Sequence, residues 1–211
     1  MQRPQINRTC RLSYTYSMHK PILYLWFLLI CSGLFGQTTT AQSNSLLKNS
    51  DLRQALLGDW VGVLEYRDYS EPATSAKRET LPTWLSIANA EPETTLKWHY
   101  IYDDGPTKIV EETDIVTFDP IASSYTEADN GKPARVFKMA GYDTLRSGRG
   151  TVLLTGAGTD NHKPSETRIT LQIARNLLSI LEETRPAGTS DVFVFRHSFR
   201  FTRATVPSSS R

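Results

Sequence analysis

Residues 58–69 read Gly-Asp-Trp-Val-Gly-Val-Leu-Glu-Tyr-Arg-Asp-Tyr, and this stretch decides the fold. Successive side chains of a β-strand point to opposite faces, so Trp60, Gly62, Leu64 and Tyr66 share one face. We assign this face to the interior because it carries the tryptophan. A glycine inside a strand is typical of a sharp bend or a close approach of backbones, and Gly62 can supply the coiling that a closing sheet needs. The stretch therefore predicts the first strand of a small antiparallel barrel.

A short helix is predicted immediately before this strand, over residues 49–57. Asn49 or Ser50 can cap its N-terminus, Asp51 suits its first turn, and Gly58 can end it. We expect this helix to plug one end of the barrel.

The chain after residue 69 shows the two-residue alternation of strands, interrupted by Gly, Pro, Asn and Asp turn signals. An alternative interpretation of residues 173–181 is a short helical segment, although Asn176 favours a turn there. The pattern predicts an all-β, antiparallel up-and-down barrel of roughly ten strands, because closure removes exposed strand edges. The later strands are predicted at 78–88, 95–103, 108–118, 123–128, 135–142, 151–155, 167–174, 177–183 and 191–203, with turns at 129–133, 156–165 and 186–190.

The first 41 residues have the features of a secretory signal peptide. They contain four basic residues and no acidic one, residues 21–36 are almost entirely apolar, and Ala41 ends a run of small residues suited to cleavage. The apolar run is shorter than the roughly 20 residues that span a bilayer. The leader begins at Met1 or at Met18, and we expect a secreted or periplasmic protein.

Both cysteines, Cys10 and Cys31, lie in this leader. Lipid attachment at Cys31 is disfavoured because Leu29 and Ile30 precede it where small residues are expected. The mature chain would then contain no cysteine, so neither a disulfide nor a catalytic thiol is expected.

The rest of the chain is predicted to be one domain, at residues 51–204, preceded by a flexible tether at 42–50 and followed by a disordered tail at 205–211. Its length of about 170 residues is ordinary for one domain. Without the four basic residues of the leader, the net charge changes from +2 to −2. A basic surface for nucleic acid is therefore not indicated. Charged residues on the outward faces of the strands likewise disfavour a membrane-spanning barrel.

The last predicted strand places Phe195, His197, Phe199 and Arg203 on one face, together with two further phenylalanines. This face is the buried one, so His197 points into apolar space. An interior histidine of this kind is usually a neutral core or wall residue with one hydrogen bond.

A helical plug followed by Gly-x-Trp and a strand resembles the opening of the calycin superfamily, which includes lipocalins, fatty-acid-binding proteins and nitrobindin. The chain thus resembles an exported bacterial lipocalin-like protein. This resemblance implies that Arg203 covers the ring of Trp60 and so closes one end of the barrel. A guanidinium over an indole is a favourable contact, and its role is structural.

Other chemistries have little support in the sequence. Glu111, Glu112 and Asp114 form an acidic patch that we expect to be a solvated strand edge rather than an acid–base pair. No pair of histidines has metal-ligand spacing, and no catalytic motif is present. We therefore expect no metal, no cofactor and no enzymatic activity.

The expected function is the binding of a small hydrophobic molecule inside the barrel. The predicted wall residues are Trp98, Tyr100, Phe195, His197 and Phe199. One alternative is a structural or interaction module with a filled core and no ligand. The resemblance to nitrobindin implies another, a haem-binding barrel with His197 as the ligand.

Overall fold

The computed structural model describes residues 52–72, 75–129, 131–145 and 148–204. The predicted signal peptide (1–41), the tether (42–50) and the tail (205–211) lie outside the described residues. Within the described part of the chain, no helix is long and apolar enough to cross a membrane.

Ten β-strands make up nearly all of the described structure, as the alternation predicts. A 3₁₀ turn at Tyr142–Thr144 lies between the sixth and seventh strands. The strands are β1 (Gly58–Arg67), β2 (Arg78–Ala90), β3 (Thr95–Asp103), β4 (Ile109–Asp119), β5 (Ser124–Asp129), β6 (Arg135–Ala140), β7 (Gly150–Asp160), β8 (Lys163–Ile173), β9 (Leu177–Pro186) and β10 (Val194–Arg203).

The strands form one closed antiparallel barrel in which each strand pairs with its neighbours in sequence, and β1 pairs with β10. This seam runs from the pair Trp60 and Arg203 to the pair Tyr66 and His197. The predicted fold class is thus confirmed. Because the sheet closes on itself, neither terminal strand leaves an unpaired edge.

The short helix packs under the end of the barrel where β1 begins. Its described residues, 52–56, bury Leu52 and Leu56 in the barrel core. The indole Nε1 of Trp60 donates a hydrogen bond of 2.9 Å to the carbonyl oxygen of Leu56. This bond satisfies the buried indole and one carbonyl that the helix end would leave free.

Arg203 fixes the helix to the seam. Its guanidinium carbon lies 4.1 Å from the ring centroid of Trp60, and Nη2 donates a 2.8 Å hydrogen bond to the carbonyl oxygen of Ala55. A second bond, from Nη1 to the carbonyl oxygen of Leu57, measures 2.5 Å. The contact implied by the calycin resemblance is present, and it closes this end of the barrel.

Gly62 lies at the tightest point of the seam. A Cβ atom at this position would lie 2.0 Å from the carbonyl oxygen of Arg200 and 2.9 Å from the Cα of Phe201. Both atoms belong to the backbone of β10, so no side-chain rotation can relieve the contact. The predicted close approach at Gly62 is therefore confirmed.

Two details of the strand prediction are wrong. The predicted turn at residues 156–165 is instead the tip of a long hairpin, in which β7 continues to Asp160 and β8 starts at Lys163. The turn consists of Asn161 and His162, which both have positive φ (46° and 62°), as a tight two-residue hairpin turn requires. The helical alternative for residues 173–181 is also wrong, since β8 and β9 flank a turn there.

Candidate functional site

The barrel encloses a cavity of about 980 Å³ that opens to solvent. The closed end is packed solid by side chains such as Trp60, Phe118 and Phe201, each at most 1% exposed. The cavity therefore occupies the part of the barrel farther from the helix. Its apolar wall contains Leu64, Leu81, Trp98, Tyr100, Tyr102, Tyr125, Ile169, Leu171, Ile180 and Phe199.

Aromatic rings from β3 and β10 meet across the interior. The rings of Tyr100 and Tyr102 stack with centroids 5.8 Å apart, and the ring of Phe199 lies 5.4 Å from that of Tyr100. Trp98 continues the row, with its ring 6.4 Å from Tyr100. All four face inward because they follow the two-residue period of their strands.

Four of the five predicted wall residues line the cavity: Trp98, Tyr100, His197 and Phe199. Phe195 does not. The pairing of β10 with β9 shifts register between Phe195 and His197, and this bulge breaks the alternation on which the prediction rested. Phe195 lies instead beneath Arg78, whose guanidinium carbon is 4.4 Å from the ring centroid.

The Glu182 carboxylate organises the polar side of the cavity. Its side chain is 3% exposed, and Oε1 accepts a 2.8 Å hydrogen bond from Nη1 of Arg196. Nη1 of Arg135 lies 3.5 Å from the same oxygen, and Nε2 of His197 lies 3.5 Å from Oε2. The interior charge of Glu182 is thus compensated by two guanidinium groups, and the His197 ring lies on a third side.

His197 lies between a carboxylate and an aromatic ring. Burial lowers the pKa of His197, partly opposed by the nearby Glu182 carboxylate, so the ring is neutral at neutral pH. The ring also packs edge-on against Phe199, at 5.5 Å between centroids. Nε2 faces the Glu182 carboxylate at 3.5 Å, so this geometry adds no support for an iron ligand at Nε2.

Four carboxylates from two neighbouring strands also line the cavity: Glu112 and Asp114 from β4, and Glu127 and Asp129 from β5. The expectation of a solvated outer edge is therefore wrong for Glu112 and Asp114, although Glu111 is exposed. The sequence of β4 indicates that Glu112 and Asp114 face inward. Val116 and Phe118 continue the same face of β4, and both are buried.

Asp114 carries the largest consequence of this crowding. Burial raises its pKa to about 7, and the carboxylates of Glu127, Glu112 and Asp129 act in the same direction, whereas Arg135 opposes them. Its carboxyl makes no ion pair and no hydrogen bond with the other described residues. Asp114 is therefore an uncompensated acid on the cavity wall.

We expect the substitution Asp114→Asn to stabilise the protein at pH 8 by roughly 1 to 2 kcal/mol, a value reduced for partial solvent access. A carboxyl whose pKa is raised by folding opposes folding once the pH exceeds its usual value of 3.8, and this penalty is complete above about 7. Asparagine cannot ionise, so the gain should shrink as the pH falls towards 5. Urea denaturation at pH 5 and pH 8 measures it.

The substitution Asp59→Asn is the matched control, because it removes an exposed carboxylate from the outer face of β1, where its hydrogen-bond partner is the hydroxyl of Ser86. Its effect on the free energy of unfolding should not change between the two pH values. A pH-independent effect of Asp114→Asn, or a loss of stability at pH 8, would contradict the assignment.

The group Glu112, Asp114 and Asp129 has carboxylate oxygens within 4.8 Å of one another, close enough to share a metal ion. Lys132 already supplies a cation at its outer edge: its ammonium pairs with Asp129 and lies 3.9 Å from Glu112. The group therefore gives no independent indication of a metal.

One side of the cavity is formed where β6 and β7 part. These strands share three residue pairs, from Lys138 with Thr155 to Ala140 with Leu153. Beyond them, residues 132–136 and 157–159 line the cavity from opposite sides.

A buried arginine, Arg67, anchors a cluster of polar side chains at the end of the barrel opposite the helix. Nη2 of Arg67, a residue 3% exposed, donates to both carboxylate oxygens of Asp160, at 2.9 and 3.2 Å. The hydroxyl groups of Tyr69 and Thr184 each donate to Asp160 at 3.2 Å. These contacts tie β1 to β7 and β9 across the interior.

No family model matches the sequence, and no curated protein matches it. Among solved structures, the chain is similar to the S-type phycobiliprotein lyase from Guillardia theta, with a TM-score of 0.52 and 9% sequence identity. The alignment covers 80% of this chain and 99% of that chain. At this identity the likeness shows the fold alone, a lipocalin-like barrel of the kind that residues 58–69 predict.

Proposed function

We propose that this protein binds a small hydrophobic molecule in the barrel cavity, as a binding protein rather than an enzyme. The observation that carries the proposal is the cavity itself, whose volume of about 980 Å³ is shaped by aromatic and aliphatic side chains. Ligand pockets of about 300 to 1,000 Å³ with this kind of lining bury most of a small ligand's surface. Removal of apolar surface from water supplies the driving force.

The alternative of a structural module with a filled core has less support. Side chains fill the helix end of the barrel, but the opposite half holds the cavity. The rings of Tyr100 and Tyr102 stack on each other along β3, and those of Phe199 and Phe201 stack along β10, and the cavity remains beside them. Such a pre-formed, open interior is typical of a binding barrel.

The substitution Leu64→Trp tests the proposal by filling the cavity. Leu64 lies on its wall, so an indole at this position occupies space that a ligand needs. We expect the affinity for pyrenebutanol, a neutral fluorescent probe, to fall at least about 10-fold, equivalent to about 1.4 kcal/mol. Fluorescence titration of the purified protein measures the dissociation constant.

The neighbouring substitution Val63→Trp adds the same ring to the outer face of β1, where Val63 is 40% exposed. Its affinity for the probe should stay within about 2-fold of the unsubstituted protein. Circular dichroism verifies that both variants fold. Equal binding by folded Leu64→Trp protein, or no binding by the unsubstituted protein, would refute the proposed function.

A further inference from the structure

The charge of the cavity wall points to the class of ligand. Five acidic residues and three basic residues line the cavity, so the lining is net negative when His197 is neutral. The acidic residues are Glu112, Asp114, Glu127, Asp129 and Glu182, and the basic ones are Lys132, Arg135 and Arg196.

The basic residues are already engaged by carboxylates. Arg135 bonds to Glu127 at 2.6 Å, Arg196 bonds to Glu182 at 2.8 Å, and Lys132 pairs with Asp129. An anionic ligand would have to compete with these pairs for each cation. The structure therefore offers no uncommitted cation on the described part of the cavity wall for an anionic group.

Asp114 is the acid that these cations do not contact. It lies on β4, flanked by Glu112 on its own strand and by Glu127 and Asp129 on β5, while Arg135 from β6 is engaged by Glu127. Lys132 contacts the outer members of the group, and its side chain is 70% exposed. A cation placed beside Asp114 would relieve repulsion that the protein's own side chains leave in place.

Trp98 provides a second, independent observation at the same position. It is the residue of β3 directly opposite Asp114 in the pairing of β3 with β4. Trp98 is 2% exposed and lines the cavity, yet its indole Nε1 has no hydrogen-bond partner. The N–H is enclosed by protein atoms, so Trp98 contributes its aromatic ring, rather than its N–H, to the cavity lining beside Asp114.

The aromatic row next to these two residues also suits a cation. Tyr100 and Tyr102 continue from Trp98 along β3, and Phe199 faces them. Aromatic faces attract ammonium groups, most strongly where water is excluded, and they also receive an apolar ligand body.

We propose that the ligand is a cationic amphiphile, an inference that rests on the proposed function. Its protonated amine lies beside Asp114, and its apolar body packs on the aromatic row of Trp98, Tyr100, Tyr102 and Phe199. The carboxyl of Asp114 has its pKa raised to about 7, so the site is fully charged only above that pH. Affinity for an amine should therefore rise from pH 5 to pH 8.

Three probes with the same pyrene body and different charges test this proposal: pyrenebutylamine, pyrenebutanol and pyrenebutyrate. At pH 8 and low salt, we expect the amine to bind at least about 10-fold more tightly than the alcohol, and the butyrate to bind most weakly. The preference for the amine over the alcohol should weaken as the pH falls to 5, because Asp114 takes up a proton.

The variants assign this preference to a residue. Asp114→Asn keeps the shape of the side chain and should bring the affinity for the amine down to that of the alcohol, leaving the affinity for the alcohol unchanged. Glu111→Gln, on the outer face of the same strand, should change neither. Binding of the alcohol with no preference for the amine, or an unchanged preference in Asp114→Asn, would overturn this inference alone. Failure of all three probes would overturn the proposed function as well.

Discussion

The substitution Gly62→Ala is expected to destabilise the barrel by about 3 kcal/mol. The added Cβ would lie 2.0 Å from the carbonyl oxygen of Arg200 and 2.8 Å from its carbonyl carbon. Because these are backbone atoms, β1 and β10 would have to separate. The pairing of β1 with β10 closes the barrel, so separating these two strands would open it. Chemical denaturation of the two proteins measures the loss.

The adjacent substitution Val63→Ala is the control for this effect. Val63 is 40% exposed on the outer face of the same strand, and its truncation should cost less than about 1 kcal/mol. A variant Gly62→Ala that unfolds within about 1 kcal/mol of the unsubstituted protein would show that the seam can adapt. A variant that does not fold would agree with the expected strain.

The strands of the barrel could be predicted from the sequence because they show local alternation. In β3, Leu96, Trp98, Tyr100 and Tyr102 occupy every second position, and all four are buried. The first and last strands carry Trp60 and Arg203, and the seam pairs these residues directly, as the calycin resemblance implies. Alternation is visible in consecutive residues, so recognising a strand does not require knowledge of distant contacts.

The hairpin of β7 and β8 could not be predicted in the same way, because its glycines have a different role. Gly156 and Gly158 usually indicate a turn, but here they lie within a strand. A Cβ at Gly156 would be 2.7 Å from the carbonyl oxygen of Val136, and one at Gly158 would be 2.2 Å from the hydroxyl of Thr167. Their requirement for space comes from neighbouring strands, which a single sequence does not reveal.

The candidate site was predictable on its apolar side and not on its charged side. Alternation along β3 and β10 identifies Trp98, Tyr100 and Phe199, but a bulge is invisible to alternation and removes Phe195 from the wall. The same alternation places Asp114 inside, two residues before Val116. The expectation that carboxylates lie only on the outer surface was wrong, because the cavity of an open barrel also admits water.

Replacing Glu182 by alanine is expected to destabilise the protein by about 2 to 4 kcal/mol. The carboxylate is 3% exposed and interacts with Arg196, Arg135 and His197. After its removal, Arg196 would retain its 3.1 Å hydrogen bond to the carbonyl oxygen of Thr159 but no carboxylate partner at this position, whereas Arg135 would keep Glu127. The loss arises mainly from charge left inside the barrel without a partner. Urea denaturation at neutral pH measures it.

The next residue along β9 gives a matched control. Glu183 pairs with Arg168 at 2.8 Å on the more exposed outer face, so Glu183→Ala should cost less than about 1 kcal/mol. If unpaired charge is the cause, the combined substitution of Glu182 and Arg196 by alanine should cost less than the sum of the two single substitutions. Strict additivity, or equal losses for Glu182→Ala and Glu183→Ala, would contradict this account. In that case the carboxylates on the cavity wall would behave as solvated surface charges, although Glu182 is almost completely buried.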